Sequence, residues 1–174
     1  DVAGPLLVRI GDGWVTGSVT PAQEHMGSAV LEHILERVAD LSRSADGPTL
    51  VVATLPDEQH GLGARLASTV AILEGWRVTY LGTDLPPGEI ATTARSVATK
   101  AVAISVVKRD DLSKTVESLS QLRELLSPGV DLLIGGAGAD LIPPDLLPEG
   151  ITSLQGVDGL RVRLRRDVWS RNRT

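Results

Sequence analysis

Short apolar segments that alternate with helical patterns constrain the fold of this chain most strongly. The strand-like segments lie at 49–55, which is rich in β-branched residues, and at 77–81, 101–107, 131–134 and, more weakly, 151–154. Helical patterns occupy 61–74, 87–99, 111–126 and 157–169. Right-handed crossovers place such helices on both faces of a parallel sheet. We therefore predict an α/β domain over 48–174, a five-stranded parallel flavodoxin-like (Rossmann-like) sheet in the order 2-1-3-4-5.

A separate helical segment precedes this alternation. Thr20 can cap a helix, Pro21 suits its first position, and Gln23 can complete a capping box. Apolar residues recur at helical spacing from there to about residue 43. A polar stretch at 42–48 then predicts a linker. The sequence thus predicts a helical-bundle segment over 1–45 in front of the α/β domain.

The composition excludes several classes of function. The 174 residues contain no cysteine, which excludes disulfides, thiolate metal sites and cysteine nucleophiles. The net charge of −5 argues against general binding of nucleic acid. No apolar run approaches the roughly 20 residues that span a bilayer, and no signal peptide is seen, so we expect a cytoplasmic protein without membrane contact. The arginines of 161–173 are more typical of a solvated helix face than of a DNA-binding patch.

Parallel sheets of this kind bind ligands at the carboxyl ends of their strands. His60 follows the first strand, and imidazole binds transition metals, while a nearby carboxylate can orient the ring and raise its basicity. Ser105 lies near the end of the third strand, and Gly135 and Gly136 end the fourth. These residues can open a slot for a flat, partly polar group. A solvated loop histidine, a satisfied core hydroxyl and a plain glycine turn stay open as alternatives.

Three spaced motifs at these strand ends resemble the signature of cobalamin-binding domains, usually written Asp-x-His-x-x-Gly, Ser-x-Leu and Gly-Gly. The motifs here are Glu58-x-His60-x-x-Gly63, Ser105-x-Val107 and Gly135-Gly136. Glu58 and Val107 depart mildly from the signature. The resemblance implies that His60 is the lower axial ligand of cobalt, in place of the cofactor's own nucleotide base. It also implies that the nucleotide tail enters the domain past Gly63, Ser105 and the glycine pair.

A further motif lies in the helical segment. Trp14 is followed, after nine residues, by Glu24 and His25. This spacing resembles the upper-face motif of light-responsive, adenosylcobalamin-binding transcriptional regulators of the MerR type, the CarH and LitR kind. The resemblance implies that Trp14, Glu24 and His25 enclose the 5′-deoxyadenosyl group: an indole packs on a nucleoside, and a carboxylate accepts hydrogen bonds from hydroxyls. Val15 stands where some members carry a histidine that takes cobalt after photolysis.

The resemblance implies the light-sensing module of a transcriptional regulator and no enzyme. Light would cleave the Co–C bond of adenosylcobalamin and change the state of a homo-oligomer, with DNA bound only through a domain upstream of this chain. The alternatives are a corrinoid carrier protein, the cobalamin domain of a methyltransferase or mutase, and a flavodoxin-like domain without cobalamin. Carriers and mutases need an open upper face, so Trp14 and Glu24-His25 favour the regulator.

Overall fold

The structure is a computed structural model that describes residues 20–42, 46–108 and 111–171. Its helices and strands, in chain order, are α1 (Pro21–Ser42), β1 (Thr49–Ala53), α2 (Leu62–Leu73), β2 (Arg77–Gly82), α3 (Pro87–Ser96), β3 (Ala101–Ser105), α4 (Leu112–Leu125), β4 (Asp131–Gly135), a 3-10 turn (Ala139–Leu141), β5 (Ile151–Ser153) and α5 (Gly156–Arg171). Every strand and helix predicted between 48 and 171 is present, with its ends shifted by a few residues.

All five strands pair in parallel, in the order β2-β1-β3-β4-β5. This confirms the predicted sheet. Every residue of β1 and of β3 is buried, which explains why both strands read as continuous apolar runs. The chain leaves β1 toward β2 on one side and enters β3 on the other, so the loops after β1 and β3 diverge at the carboxyl edge. Such a switch point leaves a crevice for a ligand.

Helices cover both faces of the sheet. Helices α1, α2 and α5 pack on the face that carries Leu50 and Val52, and α3 and α4 pack on the face that carries Val51 and Ala53. Trp76 is fully buried on the first face, where its Nε1 donates a hydrogen bond to a main-chain oxygen of α5 at 3.2 Å. One of the few aromatic residues therefore serves to hold α5 in place.

Helix α1 begins with the predicted capping box. The Gln23 N–H donates to Thr20 Oγ1 at 3.3 Å, and the Thr20 N–H donates to Gln23 Oε1 at 2.9 Å. Leu31 and Leu35 are buried against α2 and the sheet. Other apolar residues of the helix are exposed, namely Met26, Val30, Ile34 and Leu41. Only one side of α1 is therefore used by the α/β core within the described residues.

The direction of α1 follows from the short connection after it. Ser42 lies only a few residues before Thr49, which begins β1, and Arg77 Nε donates to Gly47 O at 3.0 Å, so the connection passes the amino ends of β1 and β2. Helix α1 therefore runs from the carboxyl edge of the sheet to its amino edge. Its 22 residues span about 33 Å, against about 17 Å for a strand the length of β1. Helix α1 is thus about twice as long as β1, and its first turns, with Glu24 and His25, extend past the carboxyl edge.

The basic residues of α5 are largely paired with acids. Arg161 and Arg165 contact Glu74 at 3.0 and 2.7 Å. Arg163 contacts Asp131 and a carboxylate one turn along its own helix, each at 2.8 Å. These ion pairs fix α5 to the rest of the domain, so three of its arginines have structural partners rather than lying on a purely solvated face. None of the described helices combines the length and apolar character needed to cross a membrane.

Candidate functional site

The structure brings the lower-face motifs together at the carboxyl edge of the sheet. His60 lies in the loop between β1 and α2, Ser105 is the last residue of β3, and Gly135 is the last residue of β4. The three strands are neighbours, and Ser105 and Gly135 are register partners across β3 and β4. Residues separated by up to 75 positions in the sequence thus share one edge because the sheet is parallel.

Glu58 and His60 form the central polar contact of this edge. The Nδ1 atom of His60 lies 2.6 Å from Glu58 Oε1, which also accepts the His60 backbone N–H at 3.0 Å. The Glu58 side chain is 6% exposed and that of His60 is 66% exposed. An ionised carboxylate can only accept hydrogen bonds, so the Nδ1 atom of His60 carries the hydrogen in this contact. The geometry therefore leaves Nε2 as the exposed metal-binding atom of His60.

The second oxygen of Glu58 contacts a different loop. Oε2 accepts the backbone N–H groups of Val107 at 2.8 Å and Lys108 at 2.6 Å. Burial raises the pKa of Glu58, but the N–H groups of Lys108, His60 and Val107, joined by the His60 ring, outweigh this and hold its pKa below the usual value. The carboxylate is therefore a fully used, ionised acceptor.

Residues that sequence reasoning did not single out fix the same loop. The buried Thr54 donates through Oγ1 to Glu58 O at 2.6 Å and accepts the Asp84 N–H at 2.9 Å. Asp84 Oδ1 in turn accepts the Asp57 N–H at 2.8 Å. Both aspartates are left-handed, with φ of 66° for Asp57 and 60° for Asp84, a conformation that Asp tolerates better than most residues. The sequence signals were a threonine after an apolar strand and an aspartate after the next, which are common features.

A glycine-lined slot lies beside this cluster. A Cβ atom at Gly63 would sit 2.7 Å from Ser105 Oγ and 3.8 Å from Val107 Cγ2. Gly63 therefore keeps free the space next to the hydroxyl, which any side chain would fill. Ser105 is 7% exposed, and its hydroxyl makes no hydrogen bond to another described residue, so it is available to a bound group. This cradle fits a flat group with a polar edge.

The predicted glycine pair divides into two different roles. A Cβ at Gly135 would meet only Leu154 O, at an ordinary 3.5 Å. Gly136 has φ of +107°, and a Cβ there would lie 2.4 Å from Val106 O, so the fold itself requires this glycine. Gly138, which sequence reasoning missed, would bring a Cβ within 2.3 Å of Lys108 O. Gly135 is therefore the member of the pair whose absent side chain is not explained by the turn.

The upper-face motif is only partly covered by the structure. Trp14 lies outside the described residues, and so does Val15. Glu24 belongs to the first turns of α1, and the His25 side chain is exposed there. The predicted grouping of Trp14, Glu24 and His25 thus stays a prediction, with its helical part placed beyond the carboxyl edge that carries His60.

The metal chemistry of the described residues is restricted. They contain no cluster of three or more histidine or acidic residues that would hold a metal ion by itself. Protein sites without a macrocycle usually supply three or four ligands. A metal here would take one ligand from His60 and the others from the molecule that carries it. The single histidine, the slot beside it and the free Ser105 hydroxyl fit a cobalt corrinoid bound from one side.

An exposed, carboxylate-bound histidine beside a glycine slot, at the carboxyl edge of a parallel five-stranded sheet, is the arrangement of a domain that can hold a metal macrocycle. The model of the B12-binding domain family matches residues 48–158, and the chain belongs to this family. The three motifs therefore predicted the family correctly. Membership in it favours cobalamin binding over a flavodoxin-like domain without the cofactor.

Individual relatives fall into two groups. The chain is 31% identical over 142 residues to the HTH-type transcriptional repressor CarH of Myxococcus xanthus, a match covering 80% of this chain and 46% of CarH. It is 25% identical over 161 residues to trimethylamine corrinoid protein 1 of Methanosarcina acetivorans, covering 85% of this chain and 74% of that protein. The chain thus spans about half the length of CarH.

A solved structure supports the fold. The monomethylamine corrinoid protein of Methanosarcina barkeri superposes with a TM-score of 0.63 and 17% identity, over 90% of this chain and 76% of that one. At this identity the likeness shows a common fold. It confirms the predicted α/β architecture.

Proposed function

We propose that this chain is the adenosylcobalamin-binding, light-sensing module of a transcriptional regulator. The observation that carries the proposal is the position of α1, whose first turns extend beyond the same sheet edge that carries His60. A corrin ligated from below by His60 would have its other face toward this helix. The CarH match covers 80% of this chain, which is more than residues 48–174 alone contribute. The match therefore includes part of the segment before the α/β domain.

Each residue of the site then has a defined task. His60 binds cobalt through Nε2, and Glu58 keeps the ring in the required tautomer. Gly63, Ser105 and Gly135 admit and hold the nucleotide tail, with Val107 and Gly136 shaping the slot. When bound, adenosylcobalamin supplies a light-sensitive Co–C bond, which is chemistry that the protein itself lacks.

The upper face belongs to the N-terminal segment in this proposal. Residues 1–45 form part of a helical bundle over the corrin, in which Trp14, Glu24 and His25 enclose the adenosyl group, and 48–174 form the cobalamin-binding domain. Loss of the adenosyl group in light would remove what these residues pack against. With adenosylcobalamin in the dark, the chain would form a homo-oligomer and DNA would be bound through a domain outside this chain; light would reverse both.

A corrinoid carrier protein is the second candidate. The match to trimethylamine corrinoid protein 1 covers 74% of that protein, against 46% for CarH, and supports this alternative. A carrier shares the lower face of the site but must expose the upper face to a partner enzyme. The two functions therefore differ in what the segment before residue 48 does.

One experiment separates the two functions. The purified chain is titrated in darkness with adenosylcobalamin and with methylcobalamin, and its absorption spectrum and mass in solution are measured before and after green light. The regulator predicts a preference for adenosylcobalamin and a change of mass on illumination. Equal affinity for both cofactors, or photolysis without any change of mass, favours the carrier. Adenosylcobalamin illuminated without protein controls for photolysis of the free cofactor.

A further inference from the structure

Glu58 is connected to more of the structure than a residue that only orients a histidine needs to be. Its Oε1 serves His60 alone, whereas its Oε2 serves Val107 and Lys108, which are 49 and 50 residues further along the chain. Four donors thus use the lone pairs of one buried carboxylate. Oε1 therefore accepts hydrogen bonds from the β1–α2 loop and Oε2 from the β3–α4 loop. The Glu58 carboxylate thus links the two loops.

The β3–α4 loop is in turn bonded to the turn that follows β4. Val106 O accepts the N–H groups of Gly138 at 3.0 Å and Ala139 at 3.3 Å, and the Val106 N–H donates to Gly135 O at 2.9 Å. Gly138 lies so close to Lys108 O that a Cβ there would be 2.3 Å away. The main chain of Lys108 therefore packs directly against the turn after β4, which begins at the end of the strand that carries Gly135.

The other end of this connection is held firmly. Glu58 O accepts Thr54 Oγ1 at 2.6 Å and the Asp84 N–H at 3.2 Å, so the main chain of Glu58 is fixed to the end of β1 and to the loop after β2. Because these bonds restrain the backbone of Glu58, we expect a shift of His60 or of the β3–α4 loop to move the Glu58 side chain rather than its backbone. Binding of a metal at Nε2 strengthens the Nδ1–H of His60 as a donor and restrains the carboxylate further.

We propose that Glu58 couples the metal-ligand loop to the glycine slot, so that ligation of cobalt by His60 and entry of the nucleotide tail assist each other. This inference rests on the proposed function only in taking a corrinoid as the ligand, and it holds for a regulator and for a carrier alike. Glu58 is a positioning residue, because it acts on the cofactor through His60 and through the main chain of 107–108.

The test uses the two halves of the cofactor as separate probes. Aquocobinamide, a corrinoid without the nucleotide tail, reports on His60 through its visible spectrum, and α-ribazole reports on the slot. We expect aquocobinamide to slow hydrogen exchange at the amides of Val107 and Lys108 in the parent chain. We also expect it to tighten α-ribazole binding about 5-fold or more, as coupled sites commonly do.

The Glu58→Gln variant removes the negative charge and replaces one acceptor oxygen with a donor. It should abolish both effects at saturating aquocobinamide, while Glu117→Gln, an exposed carboxylate on α4, should preserve them. A general loss of stability would weaken both probes without removing the coupling between them. The exchange measurement on the parent chain needs no variant, so it stands even if Glu58→Gln does not fold.

The outcomes separate this inference from the proposed function. If aquocobinamide shows the spectrum of a histidine-ligated corrinoid but exchange at 107–108 and the affinity for α-ribazole stay unchanged, the coupling is wrong and the site stands. Coupling that persists in Glu58→Gln also overturns it. If aquocobinamide shows no binding at all, both the site and the coupling fail.

Discussion

The Nδ1 atom of His60 lies 2.6 Å from Oε1 of Glu58, and the histidine is exposed while the glutamate two residues earlier is buried. This relationship gives the two residues different tasks in one contact. The buried carboxylate is fixed by the main chain of other loops, and the exposed ring presents Nε2 outward. An imidazole held in this way does not need to be ordered when a metal binds, which favours affinity.

Removal of the ligand itself is the most direct prediction. His60→Ala should weaken cobalamin binding by at least the 10–100-fold that second-shell changes commonly cost, or leave the cofactor with its own base on cobalt. An absorbance titration in darkness measures both effects. His33→Ala, an exposed histidine on α1, is the matched control and should behave like the parent. An unchanged visible spectrum and affinity in His60→Ala would exclude His60 as the ligand.

The ionised state of Glu58 predicts a pH dependence of stability in the cofactor-free chain. Because the folded pKa of Glu58 is held below its usual 4.5, its contribution to stability is fully present above that pH. The contribution is lost as the pH falls through the lowered folded value. The gap in free energy of unfolding between the parent and Glu58→Gln should therefore be largest near neutrality and shrink in acid.

Chemical denaturation at a series of pH values on both sides of 4.5 measures this gap. Glu117→Gln, on the exposed side of α4, should differ from the parent by an offset that changes much less with pH. A gap for Glu58→Gln that stays constant into acid would show that the carboxylate is not an ionised acceptor in the folded chain.

The geometry of the slot predicts that a large side chain at Gly135 blocks cofactor binding while the fold stays intact. A Cβ at Gly135 would meet only Leu154 O at 3.5 Å, so Gly135→Leu should fold, with its side chain in the space proposed for the nucleotide tail. We expect loss of cobalamin binding with a melting temperature close to that of the parent. Gly88→Leu, where nothing lies within 4 Å of a Cβ, is the control and should bind normally.

Substitution of Gly63, which lines the same slot, should be tolerated less well than substitution of Gly135. Gly63→Ala places its Cβ 2.7 Å from Ser105 Oγ, so we expect weaker binding together with some loss of stability. Equal and normal binding by Gly63→Ala and Gly135→Leu would show that the tail enters elsewhere. Titration with cobalamin and thermal melting of the same samples provide both quantities.

The upper face predicts a selectivity that a carrier would lack. Trp14→Ala should reduce the preference for adenosylcobalamin over methylcobalamin by about 1–3 kcal/mol, because the indole would bury the nucleoside of the first and meet a void with the second. Binding of both cofactors in darkness to the parent and the variant measures the preference. Trp14→Phe, which keeps an aromatic face, should lose less of it. A parent chain without any preference would contradict the proposed role of Trp14.

The local structure was predictable because short-range patterns encode it. The strand at 49–55 was recognisable from its unbroken apolar run, and Thr20 with Gln23 marked the start of α1. The family motif also pointed to His60, Ser105 and Gly135, which the structure brings to one edge of the sheet. Strand ends were less well predicted: β1 ends at Ala53 rather than 55, because pairing with neighbouring strands decides where a strand stops.

Only the tertiary structure decided which of these residues act together. That Glu58 bonds to Val107 and Lys108 depends on β1 and β3 being neighbours, which no local pattern encodes. Gly135 and Gly136 look alike in sequence, yet only Gly136 has a positive φ, and only there would a Cβ clash with a carbonyl oxygen, at 2.4 Å. The overhang of α1 likewise follows from its length relative to the strands it packs beside. Periodicity and propensity act over a few residues, whereas contacts across loops depend on the strand order and packing of the whole sheet.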